Sequence, residues 1–179
     1  MSLTPGNLQK VLIDLDTALA AAHEERTLVV CGGGALLVVD VISRTTQDID
    51  VITPELDPVL KSLAAEVGKR HGLEASWLNN GPASLARDLE AGWRDRTRKI
   101  FEGKALLLHS LGHKDLLASK LYALCDREEQ DLDDILGMKP FWPEIESLKT
   151  WLLDRDGSPL WLERVESRLT LLKKRMRHE

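Results

Sequence analysis

The sequence predicts a mixed α/β (α+β) fold: a small mixed sheet flanked by helices in residues 1–112, with a helical part, 113–179, packed on that core. Three observations predict it. Short β-branched runs alternate with amphipathic stretches through the first two thirds of the chain. A glycine triplet, Gly32 to Gly34, directly follows one of those runs. From about Lys114 onward the pattern is helical.

Leu8, Val11, Leu12, Leu15, Ala18 and Leu19 recur every three or four residues, which predicts an amphipathic helix over about 7–23. Thr27 to Cys31 is a β-branched run and reads as a buried strand. Ala35 to Val41 is a helix or a second buried strand, and the glycine punctuation favours strand, turn, helix. Asp48 to Ile52 alternates polar and apolar residues, as a half-buried strand does. Thr53 before Pro54 reads as a helix cap, with the helix running to Gly72. Short strands near Glu74 to Leu78 and Ala105 to His109 would complete the sheet, with the cationic stretch WRDRTRK between them. Phe141, Trp142 and Pro143 mark a turn, residues 154–159 mark another, and Ser158 with Pro159 caps the last helix.

The 179 residues, 43% hydrophobic, suffice for one domain with a real core. A formal charge of −5 argues against a surface built throughout to hold nucleic acid. Arg94, Arg96, Arg98 and Lys99, and Lys173, Lys174, Arg175 and Arg177, would either steer an anion or form solvated faces. Cys31 and Cys125 lie in separate apolar stretches and read as free thiols of a reducing, cytoplasmic compartment. No apolar run approaches the roughly 20 residues of a bilayer span, so no membrane association is expected. No His or Cys spacing suggests zinc.

Glycine leaves no side chain between backbone and ligand, so the triplet could bring N–H groups against a phosphate; it would serve equally as a packing turn. Asp48 and Asp50 are two apart on a strand, which puts both carboxylates on one face roughly 6.5–7 Å apart. Such a pair repels unless a cation sits between, and Mg²⁺ shared with substrate phosphates meets that need. Solvated acids on a polar strand face are the alternative. Together the two features match what phosphoryl or nucleotidyl transfer requires. A P-loop does not fit, because Ala35 and Leu36 follow Gly34 where Lys and Ser or Thr are needed. A dinucleotide fingerprint lacks its third glycine.

The pattern Gly32, Gly33, Ala35, Leu36, Arg44, Thr46, Asp48, Ile49, Asp50 resembles the polymerase-β-type nucleotidyltransferase superfamily, in the flavour of its abortive-infection toxin-like (type IV toxin) and uncharacterised bacterial branches. A second block, residues 113–135, is similar to the family pattern of a helical lysine followed by arginine and Asp-x-x-Asp, here Lys120, Arg127, Asp131 and Asp134. On one continuous helix Arg127, Asp131 and Asp134 would fall within about 40° of Lys120; a turn at REEQ would instead make two helices. An ion-pair network among them is the structural alternative to a substrate contact. Gly33 stands where many members carry serine, and no third strand carboxylate is obvious. Glu74 would supply one if its strand ran beside Asp50, and Asn79 would reach a ligand or cap a loop.

The resemblance implies an Mg²⁺- or Mn²⁺-dependent enzyme of nucleotidyltransferase fold, moving NMP from an NTP to an RNA, protein or small-molecule hydroxyl. Asp48 and Asp50 would hold metal and take part in catalysis with Lys120 and Asp131. Gly32, Gly33, Gly34, Arg44, Thr46 and Arg127 would bind nucleotide. A toxin–antitoxin role, with a cognate antitoxin as partner, is implied by the toxin-like branch. The alternative is an inactive module of the same fold that binds nucleotide or a partner protein.

Overall fold

Leu28 and Val30 are fully buried on the strand Arg26–Cys31 (β1), the central strand of the five-stranded sheet in the first of two units, Met1–Gly112 and His113–Glu179. The computed structural model describes residues 1–38, 41, 44–126 and 130–177. The other strands are Ile49–Thr53 (β2), Leu78–Asn79 (β3), Arg98–Glu102 (β4) and Leu106–Ser110 (β5), in the order β3-β2-β1-β5-β4. β1 runs antiparallel to β2 and parallel to β5, β2 is parallel to β3, and β4 and β5 form an antiparallel hairpin. The sheet is therefore mixed, as the sequence predicts.

Leu8–Ala21 (α1) buries Leu8, Val11, Leu12, Leu15 and Leu19, the face its periodicity marks, and packs against Pro58–Arg70 (α3). Gly32–Val38 (α2) is a helix packed on β1 and β2, so the glycines form its first turn. Leu85–Asp88 (α4) and a 3₁₀ turn, Trp93–Arg96, follow β3.

Three expectations change. Thr53 does not cap a helix: it ends β2, paired with Val29, and the Thr53–Pro54 peptide is cis. The cap is Asp57, whose Oδ1 accepts from the Leu60 N–H at 3.0 Å, with Pro58 in the first turn of α3. A carboxylate at this position satisfies a helix donor better than a threonine already committed to the sheet. Strand β3 lies later than expected, because Trp77 plugs into α3: its Nε1 donates to the Ala64 carbonyl at 2.7 Å, and its ring fills the space that a Cβ on Gly68 would need. Glu74 is thus exposed in a turn, and Asn79, not Glu74, stands beside Asp50. Strand β4 was hidden in the cationic segment. It is an edge strand with no fully buried residue, so it lacks the alternation that identifies a half-buried strand.

Asp16 on α1 ties the β4–β5 hairpin. Its Oδ1 accepts from the N–H groups of Ala105 at 2.7 Å and Leu106 at 2.8 Å, and its Oδ2 from that of Lys104 at 3.1 Å. Burial pushes this carboxyl up, but the three backbone donors outweigh it and hold the group below its usual range. Gly103 has no side chain because a Cβ there would strike the Asp16 carboxylate.

The second unit contains His113–Asp126 (α5), Gln130–Gly137 (α6), Trp142–Ser147 (α7), Lys149–Leu153 (α8) and Pro159–Met176 (α9). The residues read as a turn at 141–143 begin α7, with Phe141 as its N-cap. Ser158 caps α9 as expected, its hydroxyl accepting from the Trp161 N–H at 3.2 Å. Trp161 is the internal anchor of this unit: its Nε1 donates to the Leu152 carbonyl at 2.7 Å and its ring meets Tyr122 at 5.5 Å. Of the expected turn at REEQ, residues 127–129 lie outside the described residues and Gln130 begins α6.

Replacing Asp16 by Ala leaves three backbone donors without their acceptor and is expected to cost about 1–3 kcal/mol in urea unfolding; Gly103→Ala, which overpacks the same joint, is expected to cost a similar amount. Hydrogen bonding from Arg26, with the Leu60 N–H second, holds the Asp57 carboxyl down at about 2. A depressed folded value means stability that is present above about pH 4 and is lost as pH falls through 2. Since the Asp57 side chain is 38% exposed, the loss is expected to be below about 1 kcal/mol. Unfolding midpoints at pH 4 and pH 2 should converge in Asp57→Asn relative to the native chain.

Candidate functional site

Strand β1 ends at Cys31, and Gly32 turns the chain into α2 with a φ of +69°, a conformation that side chains other than glycine rarely adopt. Across from it, Asp50 pairs with Cys31 in the β1–β2 register. The Asp50 carboxylate packs directly over Gly32, so that a Cβ at 32 would fall on Oδ2. The other two glycines are also crowded, Gly34 more than Gly33. A Cβ on Gly34 would lie 2.8 Å from the Asp48 carbonyl oxygen and 2.9 Å from Ile49 Cγ1, and one on Gly33 would lie 3.1 Å from Thr46 Oγ1 and 3.2 Å from Arg44 Nη2.

Ile49 and Val51 are fully buried, and Asp48 and Asp50, alternating with them, are half-buried. From β3, Asn79 Nδ2 donates to Asp48 Oδ2 across 3.4 Å, and its Oδ1 accepts from the Gly81 N–H at 2.6 Å. A Cβ on Gly81 would lie 3.8 Å from Asp50 Oδ1, so this second glycine borders the same carboxylate. Next to it, Asn80 bonds Val51 O, Pro54 O and the Leu56 N–H, fastening the chain after β3 to the loop after β2. Two carboxylates and the Asn79 amide thus share a corner of the sheet with the glycine turn, the Thr46 hydroxyl and the Arg44 guanidinium. Among the described residues, no group of three or more His, Cys, Asp or Glu side chains gathers in a form that could hold a metal.

The sequence reading singled out Gly32, Gly33, Gly34, Arg44, Thr46, Asp48 and Asp50, and all seven meet here. It gave Asn79 either a ligand or a loop-cap role, and in the structure the amide caps the turn at Gly81 while also touching Asp48. Gly81 was missed, although the Asn80–Gly81 pair is a recognisable turn signal.

Within the second unit, Lys120 Nζ lies 2.7 Å from Asp131 Oδ1 and 2.6 Å from Asp134 Oδ2, with the Lys120 side chain 7% and that of Asp134 1% exposed. The lysine is on α5 and both acids are on α6, so two helices, not one continuous one, build the cluster. Arg127 lies outside the described residues. Burial pushes the nearby Cys125 thiol up to about 11, which keeps it from acting as a thiolate.

Several members of the two cationic clusters have local partners. Arg96 donates to the carbonyls of Ala91 and Glu90, Arg94 lies 4.5 Å from the centre of the Trp93 ring, and Lys99 pairs with Glu102. Lys173 lies 4.4 Å from the centre of the Trp142 ring, and Arg175 is 3.9 Å from Asp133. These contacts favour the reading of charged faces over that of a dedicated polyanion groove.

No curated protein and no solved structure matches the chain. A family model does, over residues 7–154, and it is described as a nucleotidyltransferase of unknown function (DUF6036). The matched span takes in α1, the glycine turn, both aspartates and the Lys120–Asp131–Asp134 cluster, and the chain belongs to this nucleotidyltransferase family.

Proposed function

We propose that the protein transfers a nucleoside monophosphate from an NTP to a hydroxyl of an RNA, a protein or a small molecule. The observation that carries this reading is the convergence of Asp48 and Asp50 on the glycine turn in a chain of a nucleotidyltransferase family. The donor set is two carboxylates, hard oxygen ligands, beside an amide that turns its nitrogen to Asp48 and its oxygen to the Gly81 N–H. It fits Mg²⁺ or Mn²⁺, ions commonly held by one or two carboxylates together with substrate phosphates and water. When bound, the ion would neutralise charge on the phosphates as the bond to the leaving pyrophosphate breaks.

The chain's own groups divide the remaining work. Asp48 and Asp50 would hold the ion, and one of them would accept the proton of the acceptor hydroxyl as its oxygen attacks the α-phosphorus and pyrophosphate departs. Gly32 and Gly33 would border the triphosphate at the start of α2, whereas Gly34 is buried against the Asp48 carbonyl and Ile49, and Arg44 would supply positive charge beside the triphosphate. Lys120 and Asp131 belong to the proposed machinery through their place in the matched pattern. Their ion pair means that the lysine charge is already balanced within its own unit.

A second reading has a specific observation behind it. The residue beside Asp50 is Asn79, an amide and not an acid, and no three-acid group is found among the described residues. That supports a module which binds nucleotide or a partner protein without turnover. A toxin–antitoxin role is supported by the Arg44, Thr46 and Asp-x-Asp pattern alone, and co-purification of a neighbouring-gene product with the tagged chain would test it.

The double variant Asp48→Ala, Asp50→Ala is expected to lower transfer of labelled NMP by roughly a thousandfold or more, the scale of a metal ion's contribution to such a step. Circular dichroism should show its fold unchanged; undiminished transfer would remove both residues from the mechanism. Metal-dependent NTP binding by calorimetry, with no product from any tested acceptor, would favour the second reading. Gly32→Ala places a methyl group on the Asp50 carboxylate at a positive φ, and transfer is expected to fall at least tenfold as that carboxylate is displaced.

A further inference from the structure

Strand β3 is an edge strand, and its register decides which backbone groups it leaves over. Ile49 N–H donates to the Trp77 carbonyl at 2.6 Å, and the parallel register sets Ile49 beside Leu78. In such a ladder Trp77 and Asn79 turn their backbone groups to β2, so the N–H and carbonyl of Leu78 point away from the sheet. Leu78 is only 5% exposed, and among the described residues neither group meets a hydrogen-bond partner. Backbone groups of so buried a residue are nearly always paired, because leaving them dry and unpaired costs free energy.

A groove of about 470 Å³ lies along this edge. Leu78, Asn79 and Asn80 line it in succession, as residues of both faces do only along the edge of a strand, and Leu56 with Ala65 of α3 forms the other wall. It continues past Ala65 and Ala75 into a second groove of about 630 Å³. From Lys61 to Lys69 the α3 wall runs about 12 Å, the length of roughly four extended residues. Two glutamates, Glu55 and Glu66, balance two lysines, Lys61 and Lys69, and no aromatic side chain is among the described residues that line it. A single-stranded RNA is held by cationic grooves and aromatic stacking. The complement of this groove is a neutral chain that brings its own N–H and carbonyl groups.

We propose that the acceptor of the nucleotidyl transfer is an extended polypeptide that adds as a strand beside β3, bonding the Leu78 N–H and carbonyl through its own backbone. Ile49 and Leu78 face the core, while Asp50 and Asn79 share the other face. A peptide residue in register with Asn79 therefore projects its side chain on the Asp50 face, two strand spacings or roughly 9–10 Å from Asp50, a span that a nucleotide phosphate bridges. A serine, threonine or tyrosine there presents its hydroxyl: the oxygen bonds to the α-phosphorus, the bond to pyrophosphate breaks, and the proton passes to Asp48 or Asp50. This inference rests on the nucleotidyl-transfer reading and narrows its acceptor to one class.

Transfer from α-radiolabelled NTPs in Mn²⁺ is measured on a pool of short peptides with Ser, Thr or Tyr at the centre and every other position randomised, and in parallel on total RNA and on glycerol. Label is expected on the peptide pool. Ala65→Trp and Ala75→Trp fill the groove from opposite walls. Each is expected to lower peptide labelling roughly tenfold or more, the scale of losing a few hydrogen-bonded and apolar contacts, with Mn²⁺-dependent NTP binding in calorimetry and melting temperature unchanged. In the best-labelled peptide, methylating backbone nitrogens one at a time should abolish labelling at alternate positions only, because an added strand turns every second N–H to its neighbour; sensitivity without that alternation would overturn strand addition. Label on RNA or glycerol with none on peptides would overturn the polypeptide acceptor, and native labelling in both tryptophan variants would overturn the groove. A native chain that binds no NTP would overturn the nucleotidyl-transfer reading as well.

Discussion

The close approach of β2 and its preceding loop to the first turn of α2 is the constraint on which the site depends. Each of the three glycines meets a different part of that segment: Gly32 the Asp50 carboxylate, Gly33 the Thr46 hydroxyl and Arg44, Gly34 the backbone of Asp48 and the side chain of Ile49. The antiparallel register that sets Cys31 against Asp50 brings them into contact. A packing turn and a ligand site are commonly treated as competing explanations of a glycine run. At Gly32 and Gly33 the space given up is taken by polar side chains, and at Gly34 by the Asp48 carbonyl and the apolar Ile49, so the turn is a packing contact that also borders the proposed site.

The second unit meets its polar cluster with a different balance. Lys120 is buried between Asp131 and Asp134, and α5 and α6 pack together at this ion pair. Desolvating three charges is costly, and their mutual attraction at hydrogen-bonding distance offsets it. Removing the lysine alone would take the cation from the buried Asp134 and the part-buried Asp131, so loss of activity in such a variant reports on folding as much as on chemistry. A change at Asp48 or Asp50 is cleaner, since both lie at the half-buried end of a strand whose neighbours Ile49 and Val51 carry the packing.

What was legible in the sequence was what depends on local pattern. The apolar spacing of Leu8 to Leu19 marks the buried face of α1, the β-branched run up to Cys31 marks β1, and the alternation from Asp48 separates two acids from two core residues. The errors arose where a distant partner decides. Thr53–Pro54 and Asp57–Pro58 are both plausible caps, and the choice is made by Val29, which claims Thr53 for the sheet, and by Arg26, whose Nε donates to Asp57 at 2.8 Å. Glu74 lost its place beside Asp50 because Trp77 anchors on α3 and delays the strand. The three donors gathered by Asp16 come from residues 88 to 90 positions away, a distance no periodicity spans.

The charge at the corner of the sheet carries the functional argument one step further. Asp48 and Asp50 bring two negative charges, and Asn79 contributes a neutral amide where an acid would have raised the count to three. Under the proposed function, two carboxylates attract a free divalent ion more weakly than three, because each added carboxylate strengthens the field at the ion. Phosphate oxygens then have to complete the coordination, so ion and nucleotide bind as a linked pair and each raises the affinity for the other by the same factor.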